Sequence, residues 1–421
     1  MIVIELNEFS ADLFHSATKQ MHLPAIERVL AMHWSKTITN DKEERHGLDP
    51  WVQWVSIHTG KSSEIHGIQH LGDVPNLNTK QVWEVLSDKG ISSGVWGVLN
   101  ASYANAKNCL FFLPDPWTFS ERAHPEELNE LLALPRYYSK NYLHVEKSAL
   151  IGSALRMLRF LFRPKIAFKL IGLVPVFTKT IINHGLNNYA LFSLFDVLNA
   201  AIFQVYHKNY QPRFSIIFLN SIAHVQHHHW TGDSHLSKQM RCCLALMDRA
   251  LSLIFKNNIK EDMVIINGLT QVQSIDDNEY LYRQINPSDF LGQAGIKFSH
   301  VEQLMTNDAH VFFDSQEDME TAYQALKEAT ITGRYVFDVK KYHDDSQKLF
   351  YQFDYWKRIE SDALLLINGK SFPFYDLFEQ VVKRSGKHVP RGDIFSSRPI
   401  FNDNIQNHEV FDYILNEYAC N

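Results

Sequence analysis

The stretch FSIIFLNSIAHVQHHHW, residues 214–230, joins an apolar run to a turn that carries four histidines. The run FSIIFL (214–219) is rich in β-branched and aromatic residues, which is typical of a buried strand. Similar runs occupy residues 1–6, 92–98 and 263–267, and helical stretches separate them. This alternation predicts an α/β fold with a mostly parallel central sheet covered by helices.

The bulk composition is that of an ordinary globular protein. The chain has 421 residues, of which 45% are hydrophobic and 21% are charged. A formal net charge of -6 argues against a dedicated nucleic-acid-binding protein. The four cysteines have no paired spacing and MIVIELNEF has no signal-peptide pattern, so we expect a reducing, cytoplasmic location.

Changes in residue composition and hydrophobic pattern along the chain predict five segments. A long helical, basic stretch interrupts the α/β pattern, and a later stretch of short strands around one helix predicts a small α+β subdomain. The predicted segments are an α/β core part at 1–124, a basic helical insertion at 125–207, a second core part at 208–274, the α+β subdomain at 275–375 and a C-terminal core part at 376–421.

The helical insertion has an unusual charge pattern. No acidic residue lies between Glu146 and Asp196, while seven basic residues alternate with Leu, Ile, Phe and Val between 147 and 179. Such a segment could contact an anionic membrane surface peripherally. The interpretation that we favour is a helical cap whose apolar stripe packs on the core and whose Lys and Arg are solvated. Its longest uncharged run, LIGLVPVF, is too short to cross a bilayer.

The segment DPWVQWVSIHTGKSSEIHGI (49–68) resembles the TG-x-x-P-x-x-HGI signature of the alkaline phosphatase superfamily, in its type I phosphodiesterase and nucleotide pyrophosphatase branch. Thr59-Gly60 and His66-Gly67-Ile68 match, and Ser63 replaces the usual Pro. Further resemblances follow in the family's order, namely VIELNE (3–8), FLNSIAHVQHHHW, MVIINGLTQ and GKHVPRGDIF. The resemblance implies an alkaline-phosphatase-like fold and a phosphoric- or sulfuric-ester hydrolase or transferase.

The metal-ligand positions of the family are mostly altered. The resemblance places Asn7, Ala223 and Asn267-Gly268 where the family has acidic and histidine ligands, and it retains only His227 and His388. The nucleophile window, 50–52, is Pro-Trp-Val and holds no nucleophile. Two divalent cations about 4 Å apart need several anionic ligands. A standard two-metal site is therefore not expected.

A single zinc or manganese ion is one interpretation of the remaining histidines. His224 and His228 are four residues apart, so on a helix they share a face, and with His388 they offer three imidazoles. His227 competes because it occupies the family's ligand position. The other interpretation is a structural histidine turn.

A metal-free site is the alternative. Amide side chains at predicted strand ends or at a helix start suit hydrogen bonding to a phosphate or to sugar hydroxyls. They are Asn7, Gln53, Asn220, Asn267 and Gln271.

Catalytic candidates in such a site are Gln53 and the nearby carboxylates Glu5, Glu8 and Asp49, any of which could be a general base. Asp49 precedes Pro50 and could instead be a helix N-cap. Ser56 and Thr59 have no activating neighbour in sequence and are poor nucleophile candidates.

Two functions follow from these interpretations. The first is a hydrolase or transferase with a reduced or rearranged metal centre that acts on a small phosphate or sulfate ester, linked to a sugar or a nucleotide. The second is a non-catalytic member of the superfamily that binds a phosphorylated or glycosylated ligand in the former cleft.

Overall fold

A computed structural model describes residues 1–41, 48–143, 145–232, 235–258, 260–274, 280–304, 307–342, 345–381, 385–400 and 404–418. Within these ranges Cys109, Cys242 and Cys243 are free and buried. The fourth cysteine, Cys420, lies outside the described residues.

Seventeen α-helices are present in the described part of the chain. They are α1 (Ala11–Gln20), α2 (Pro24–Leu30), α3 (Pro50–Thr59), α4 (Ser63–His66), α5 (Val82–Asp88), α6 (Leu128–Leu131), α7 (Ala133–Asn141), α8 (Lys147–Leu161), α9 (Pro164–Ile171), α10 (Val174–His184), α11 (Asn188–Tyr210), α12 (Ser221–His229), α13 (Lys238–Asn257), α14 (Pro287–Gln293), α15 (Gln316–Lys327), α16 (Phe374–Leu377) and α17 (Val410–Asn416).

Twenty strands accompany these helices in the same ranges. They are β1 (Ile2–Leu6), β2 (His33–Ile38), β3 (Ser93–Val98), β4 (Cys109–Pro114), β5 (Phe214–Leu219), β6 (Met263–Ile266), β7 (Thr270–Gln273), β8 (Leu281–Gln284), β9 (His300–Gln303), β10 (Asp308–Phe312), β11 (Thr330–Ile331), β12 (Arg334–Tyr335), β13 (Phe337–Lys341), β14 (Lys348–Phe353), β15 (Leu364–Ile367), β16 (Lys370–Pro373), β17 (Phe378–Val381), β18 (Gly386–Val389), β19 (Arg391–Ser396) and β20 (Asn404–Gln406).

The chain divides into two compact units. The first contains Met1–Ala133, Leu155–Ser274 and Arg384–Asn421, and the second contains Leu134–Ala154 and Ile275–Lys383.

An eight-stranded sheet forms the centre of the first unit, in the order β20-β2-β19-β6-β1-β5-β3-β4. Only β19 runs antiparallel to its neighbours β2 and β6, and the other pairs in this sheet are parallel. Helices flank the sheet, so the predicted α/β fold with a mostly parallel, covered sheet is confirmed.

The parallel pairing of β1 with both of its neighbours sets the position of the site. Ile4 lies opposite Ile217 of β5 and opposite Ile265 of β6. The three strands therefore end at the same edge of the sheet. Asn7, Asn220 and Asn267 are the first residues after them and meet at that edge.

The two faces of β1 differ in chemistry. Ile2, Ile4 and Leu6 belong to the large apolar cluster that includes side chains of α11 and α13. Glu5 points to the other face, where it meets His58 of α3. Helix α11 has the length and hydropathy of a membrane span, but 72% of that window is buried, as in a core helix.

Strand β2 was not predicted from the sequence. Its inward residues are Ser35 and Thr37, which are buried but polar. The segment therefore has no apolar alternation, which is the signal that identifies a half-buried strand. Pairing with β19 and β20 holds it in the sheet.

The second unit has its own aromatic-rich apolar core and small antiparallel sheets, with α15 packed beside β13 and β14. Its two four-stranded sheets have the orders β13-β14-β10-β9 and β12-β11-β15-β16. Strand β17 pairs with β8, so this unit continues past residue 375.

A glycine in β19 makes space for a buried amide. A Cβ at Gly392 would lie 2.4 Å from Asn267 Oδ1 and 2.5 Å from Thr37 Oγ1. Gly392→Ala should therefore lower the free energy of unfolding by roughly 1–3 kcal/mol, measured by urea denaturation. Gly172→Ala is the control, because its nearest contact would be Lys169 O at 3.9 Å. Equal stability of the two variants would contradict this packing.

Candidate metal centre

Three side chains from distant parts of the first unit converge on one point. Glu8 Oε2 lies 2.9 Å from His227 Nε2 and 2.9 Å from His388 Nε2. One ligand atom from each of the three residues lies within 4.8 Å of the other two, a spacing compatible with a shared metal ion. The side chain of Glu8 is 4% exposed, and those of the two histidines are each 14% exposed.

A tight turn after β1 places Glu8 in this cluster. Its φ of 58° is in the left-handed region, which is uncommon for a residue other than glycine. Asn7 N–H donates to Leu219 O, and Glu8 N–H donates to Asn267 O, so the backbone remains tied to β5 and to the end of β6. The side chain of Gln226 donates to Glu8 O at 2.9 Å and holds the turn from the opposite side.

His227 comes from α12, whose first turn is stabilised from α11. The carboxylate of Asp196 accepts hydrogen bonds from Asn220 N at 3.3 Å and from Ser221 N at 2.8 Å. Burial raises the pKa of Asp196 to about 6. His227 Nδ1 lies 3.4 Å from Gly386 O, so an Nδ1–H can donate there while Nε2 faces Glu8. A hydrogen bond on the second ring nitrogen is the usual way to orient a histidine ligand.

His388 lies on β18, directly opposite Gln271 of β7. Gln271 Nε2 donates to Glu8 Oε2 and, at 3.2 Å, to Ala223 O. Gly386 makes room for this amide, because a Cβ there would lie 2.0 Å from Gln271 Oε1. The short antiparallel pair β7–β18 therefore supplies both a histidine and an amide to the cluster.

The electrostatics of the cluster favour an ionised carboxylate. Burial by itself would raise the pKa of the Glu8 carboxyl. The charges of His388 and His227, together with their hydrogen bonds, outweigh burial and hold this pKa well below its usual value. Glu8 is therefore an anion at neutral pH, as a metal ligand must be.

The other two histidines of the sequence-based proposal lie outside the cluster. His224 stacks on Phe192 with ring centroids 4.7 Å apart, and its Nε2 accepts from Asn220 Nδ2 at 3.2 Å. Burial, followed by the charge of His227, lowers the pKa of His224 to about 4. His228 is exposed on α12. The helix does carry both residues, as expected, but the cluster contains neither.

The predicted amides divide into two groups. Asn7 donates to Glu8 Oε1 at 3.0 Å and to Asn220 Oδ1 at 2.8 Å, and it accepts from Trp54 Nε1 at 2.8 Å. With Gln271, the amides of Asn7 and Asn220 thus surround the cluster.

The remaining two amides have other partners. Asn267 Nδ2 donates to Phe9 O, and its Oδ1 accepts from Asp393 N. Gln53 bonds to Asp41 and Asn407. Both Asn267 and Gln53 are fully buried. These contacts tie segments of the first unit together.

The candidate general bases occupy two different environments. Glu5 is 0% exposed and its Oε1 lies 2.6 Å from His58 Nε2. Its burial in the core separates it from any substrate in solution. Asp49 precedes Pro50 at the N-cap position of α3, although its carboxylate makes no capping hydrogen bond.

Ser56 and His66 form a buried hydrogen-bonded pair. For nucleophilic catalysis the serine would have to donate this bond, but here the histidine donates it. Ser56 Oγ lies 3.1 Å from His66 Nε2, and His66 Nδ1 accepts from Ile68 N–H at 3.1 Å. In the neutral ring Nε2 therefore carries the proton and donates to Ser56. Burial lowers the pKa of His66 to about 4, so the ring is neutral and weakly basic at pH 7. Its Nε2 already carries a proton and cannot take the proton of Ser56.

Glu8 is the member of the cluster that the sequence did not identify as a ligand. From the sequence, Glu8 is only a candidate general base near the end of the first strand. The available signal was its position directly after Asn7, the first residue beyond the predicted strand at 1–6. The left-handed turn that brings Glu8, rather than Asn7, into the cluster is not visible in the residue pattern.

Comparisons with known proteins give structural similarity without sequence similarity. The sequence matches no protein-family profile, and no curated protein matches it significantly. A phosphonoacetate hydrolase from Sinorhizobium meliloti 1021, in complex with phosphonoformate, aligns with a TM-score of 0.49 and 11% identity over 99% of this chain and 95% of that one. Human ectonucleotide pyrophosphatase/phosphodiesterase 5 aligns with a TM-score of 0.44 and 9% identity over 99% and 94%. The murine counterpart in complex with AMP aligns at 0.43 and 11%, over the same shares.

The neutral His66 ring predicts a specific pH dependence of stability. Its folded pKa of about 4 is below the ordinary value of 6.5, so the unfolded state binds the proton more readily. The stability that the protein has with a neutral His66 is fully present above pH 6.5, the ordinary pKa of the unfolded state. It is lost as the pH falls from there towards 4. Relative to His66→Gln, the wild type should lose up to roughly 3 kcal/mol of unfolding free energy over that window.

Urea denaturation of both proteins at several pH values measures this difference. His15→Gln is the control, because His15 is exposed on α1. A constant difference between wild type and His66→Gln across the window would show that His66 is not held neutral in the folded protein.

Proposed function

We propose that the protein is a phosphoric-ester hydrolase that uses one divalent metal ion bound by Glu8, His227 and His388. The observation that carries this proposal is the convergence of one carboxylate oxygen and two imidazole nitrogens within 4.8 Å. The proposed substrate is a small phosphate ester, with a sulfate ester as the chemical variant.

The donor set fits a single ion. Two histidines and one carboxylate are a common ligand set of catalytic zinc sites, which keep a further position open. Manganese accepts the same donors. Among the described residues one carboxylate enters the cluster, whereas two nearby dications would repel each other strongly without several anions. This supports a mononuclear site.

The proposed chemistry agrees with the absence of a nucleophile in the 50–52 window. A divalent ion supplies Lewis acidity, which polarises an ester oxygen and makes water acidic enough to act as the nucleophile. A water that attacks phosphorus forms the new P–O bond, and the ester P–O bond breaks to release the alcohol. No serine or threonine nucleophile is needed. The Ser56–His66 pair could not supply one, because the histidine donates the hydrogen bond to the serine.

The chain's own residues position the donors for this reaction. Asn7 and Gln271 donate to the two oxygens of Glu8 and fix the carboxylate plane. Gly386 O orients the ring of His227. Asn220 connects Asn7 to the half-buried His224, which is neutral at pH 7 and offers a hydrogen-bonding group close to the cluster.

A second function is supported by a different observation. Glu8 receives hydrogen bonds from Asn7 and Gln271 in addition to its contacts with both histidines. The carboxylate is therefore well neutralised by the protein alone. This favours the alternative in which the cluster is structural and the chain binds a phosphorylated or glycosylated ligand without turnover.

Metal analysis separates the two functions. Protein purified without a histidine tag should contain about one zinc or manganese per chain. His227→Ala and His388→Ala should both lose this metal, because each removes one of three ligands. His228→Ala is the matched control and should retain it, since His228 lies on the same helix but outside the cluster.

A second measurement does not depend on activity. After chelation, added zinc should stabilise the wild type by about 2.7 kcal/mol when free zinc is about 100 times the dissociation constant. The His388→Ala variant should not respond. If chelated wild type and variant respond equally to zinc, the metal site as drawn is wrong.

The activity test uses the metal-loaded protein with phosphomonoesters, phosphodiesters and sulfate esters. Hydrolysis that disappears with the metal and in His388→Ala supports the proposed enzyme. Metal binding without turnover, or ligand affinity in metal-free protein, supports the binding function instead.

A further inference from the structure

An exposed apolar surface covers the helices of the first unit between residues 155 and 186. It comprises nine side chains of α8, α9, α10 and the residues that follow, and we call it the outer apolar face. Its members are Leu155, Leu158, Phe162, Phe168, Ile171, Val174, Ile181, Ile182 and Leu186. They are nine of the 21 large apolar side chains that are exposed in the described residues.

Several members are almost fully in solvent. Phe162 is 75% exposed, Phe168 is 83% exposed and Ile182 is 76% exposed. Single exposed apolar residues are normal on a soluble protein, but nine of them on three consecutive helices and the residues directly after them mark an interaction surface. These side chains therefore need an explanation beyond ordinary surface composition.

Packing on the core does not explain the outer apolar face. Phe160, Ile166 and Leu173 are buried in the large apolar cluster and attach the three helices to the protein. These residues form the inner stripe of an ordinary amphipathic cap. The exposed apolar residues lie in addition to that stripe, so the helices are apolar on two sides.

The charges around this face are basic. Arg156, Lys165 and Lys179 are exposed, and the stretch contains no acidic residue. Arg159 and Arg163 share one acidic partner, Glu130, at 2.9 Å and 3.3 Å. The surface therefore has an excess of positive charge.

A second group of cations lies near α9. Burial first, and then the charges of Lys208, Lys256 and Arg249, lower the pKa of Lys169. Each of the three cations is therefore close enough to Lys169 to repel its charge. Cations collected at one place attract an anionic surface.

The shape of α9 and α10 fits a surface contact. Together they meet the length and hydropathy of a membrane-crossing segment, but a 60° bend separates them. Ile166, Leu173 and Thr180 are buried, so one side of the pair is attached to the protein. A bent, attached pair can insert its outer side chains to shallow depth in a lipid interface.

We propose that the outer apolar face docks the protein onto an anionic lipid bilayer, with its apolar side chains at the boundary between headgroups and acyl chains and its Lys and Arg side chains on lipid phosphates. Charge complementarity favours a bilayer over a protein partner, because the basic residues are distributed among the apolar ones. The combination of Phe, Leu and Ile with Lys and Arg is typical of helices that lie in the membrane interface.

The test is flotation of the full-length protein with phosphatidylcholine vesicles and with vesicles that contain roughly one-third phosphatidylglycerol. The wild type should float with the anionic vesicles and only weakly with the neutral ones, and higher salt should reduce binding. The triple variant F162S/F168S/I182S should bind the anionic vesicles about tenfold or more weakly. All three positions are exposed, so the variant should keep its circular dichroism spectrum and thermal stability.

The matched control is L364S/L366S, which removes two exposed apolar side chains from the second unit, 47% and 49% exposed. It should bind vesicles like the wild type. A second variant, K165E/K169E, should lose the preference for anionic vesicles.

Three outcomes would overturn the proposal. They are no flotation of the wild type with anionic vesicles, equal flotation of the triple variant, and equal binding to neutral and anionic vesicles. Sedimentation without lipid tests whether a second copy of the chain, rather than a bilayer, covers the outer apolar face. A dimer of the wild type that disappears in the triple variant would assign the face to a second copy of the chain.

Discussion

The buried carboxylate of Glu8 connects the parts of the first unit that are most distant in sequence. An anion with 4% side-chain exposure must be neutralised where it lies. His227 Nε2 and His388 Nε2 each lie 2.9 Å from Glu8 Oε2, and the amides of Asn7 and Gln271 donate hydrogen bonds to the two oxygens of the carboxylate. The end of β1, the helix after β5 and the pair β7–β18 are thereby held to one point. The three segments are held together by these contacts both with and without a bound metal ion.

The amides at this edge of the sheet make hydrogen bonds that carboxylates in their place could not make. A carboxylate only accepts hydrogen bonds at neutral pH, whereas an amide also donates. Asn267 uses both abilities, because it donates to Phe9 O and accepts from Asp393 N. An aspartate could not make the first bond, and beside Glu8 an aspartate at position 7 would add a second buried anion. The amides of Asn7 and Gln271 thus hold the Glu8 carboxylate, and that of Asn267 holds the neighbouring backbone.

The sequence predicts the part of the fold that depends on apolar pattern. Strands β1, β3, β5 and β6 are short, mostly apolar runs, and their order along the chain predicts the covered parallel sheet. Strand β2 could not be found this way, since Ser35 and Thr37 face inward and its position depends on pairing with β19. His227 and His388 are placed by motif order. Glu8 is placed by a left-handed backbone turn, and a glutamate in that conformation leaves no signature in composition or spacing.

In the helical insertion, too, the sequence pattern does not show which apolar side chains are buried; the packing of the helices does. Its sequence is apolar and basic throughout, which allows both a cap on the core and a membrane contact. Packing assigns Phe160, Ile166 and Leu173 to the cap, and it leaves Phe162, Phe168 and Ile182 in solvent. A helix that only covers a core gains nothing from exposed phenylalanines, because apolar side chains in water are unfavourable. The net charge of -6 makes the contrast sharper, since positive charge is concentrated on these helices while the rest of the chain is acidic. The cap and the proposed membrane contact therefore use opposite sides of the same helices.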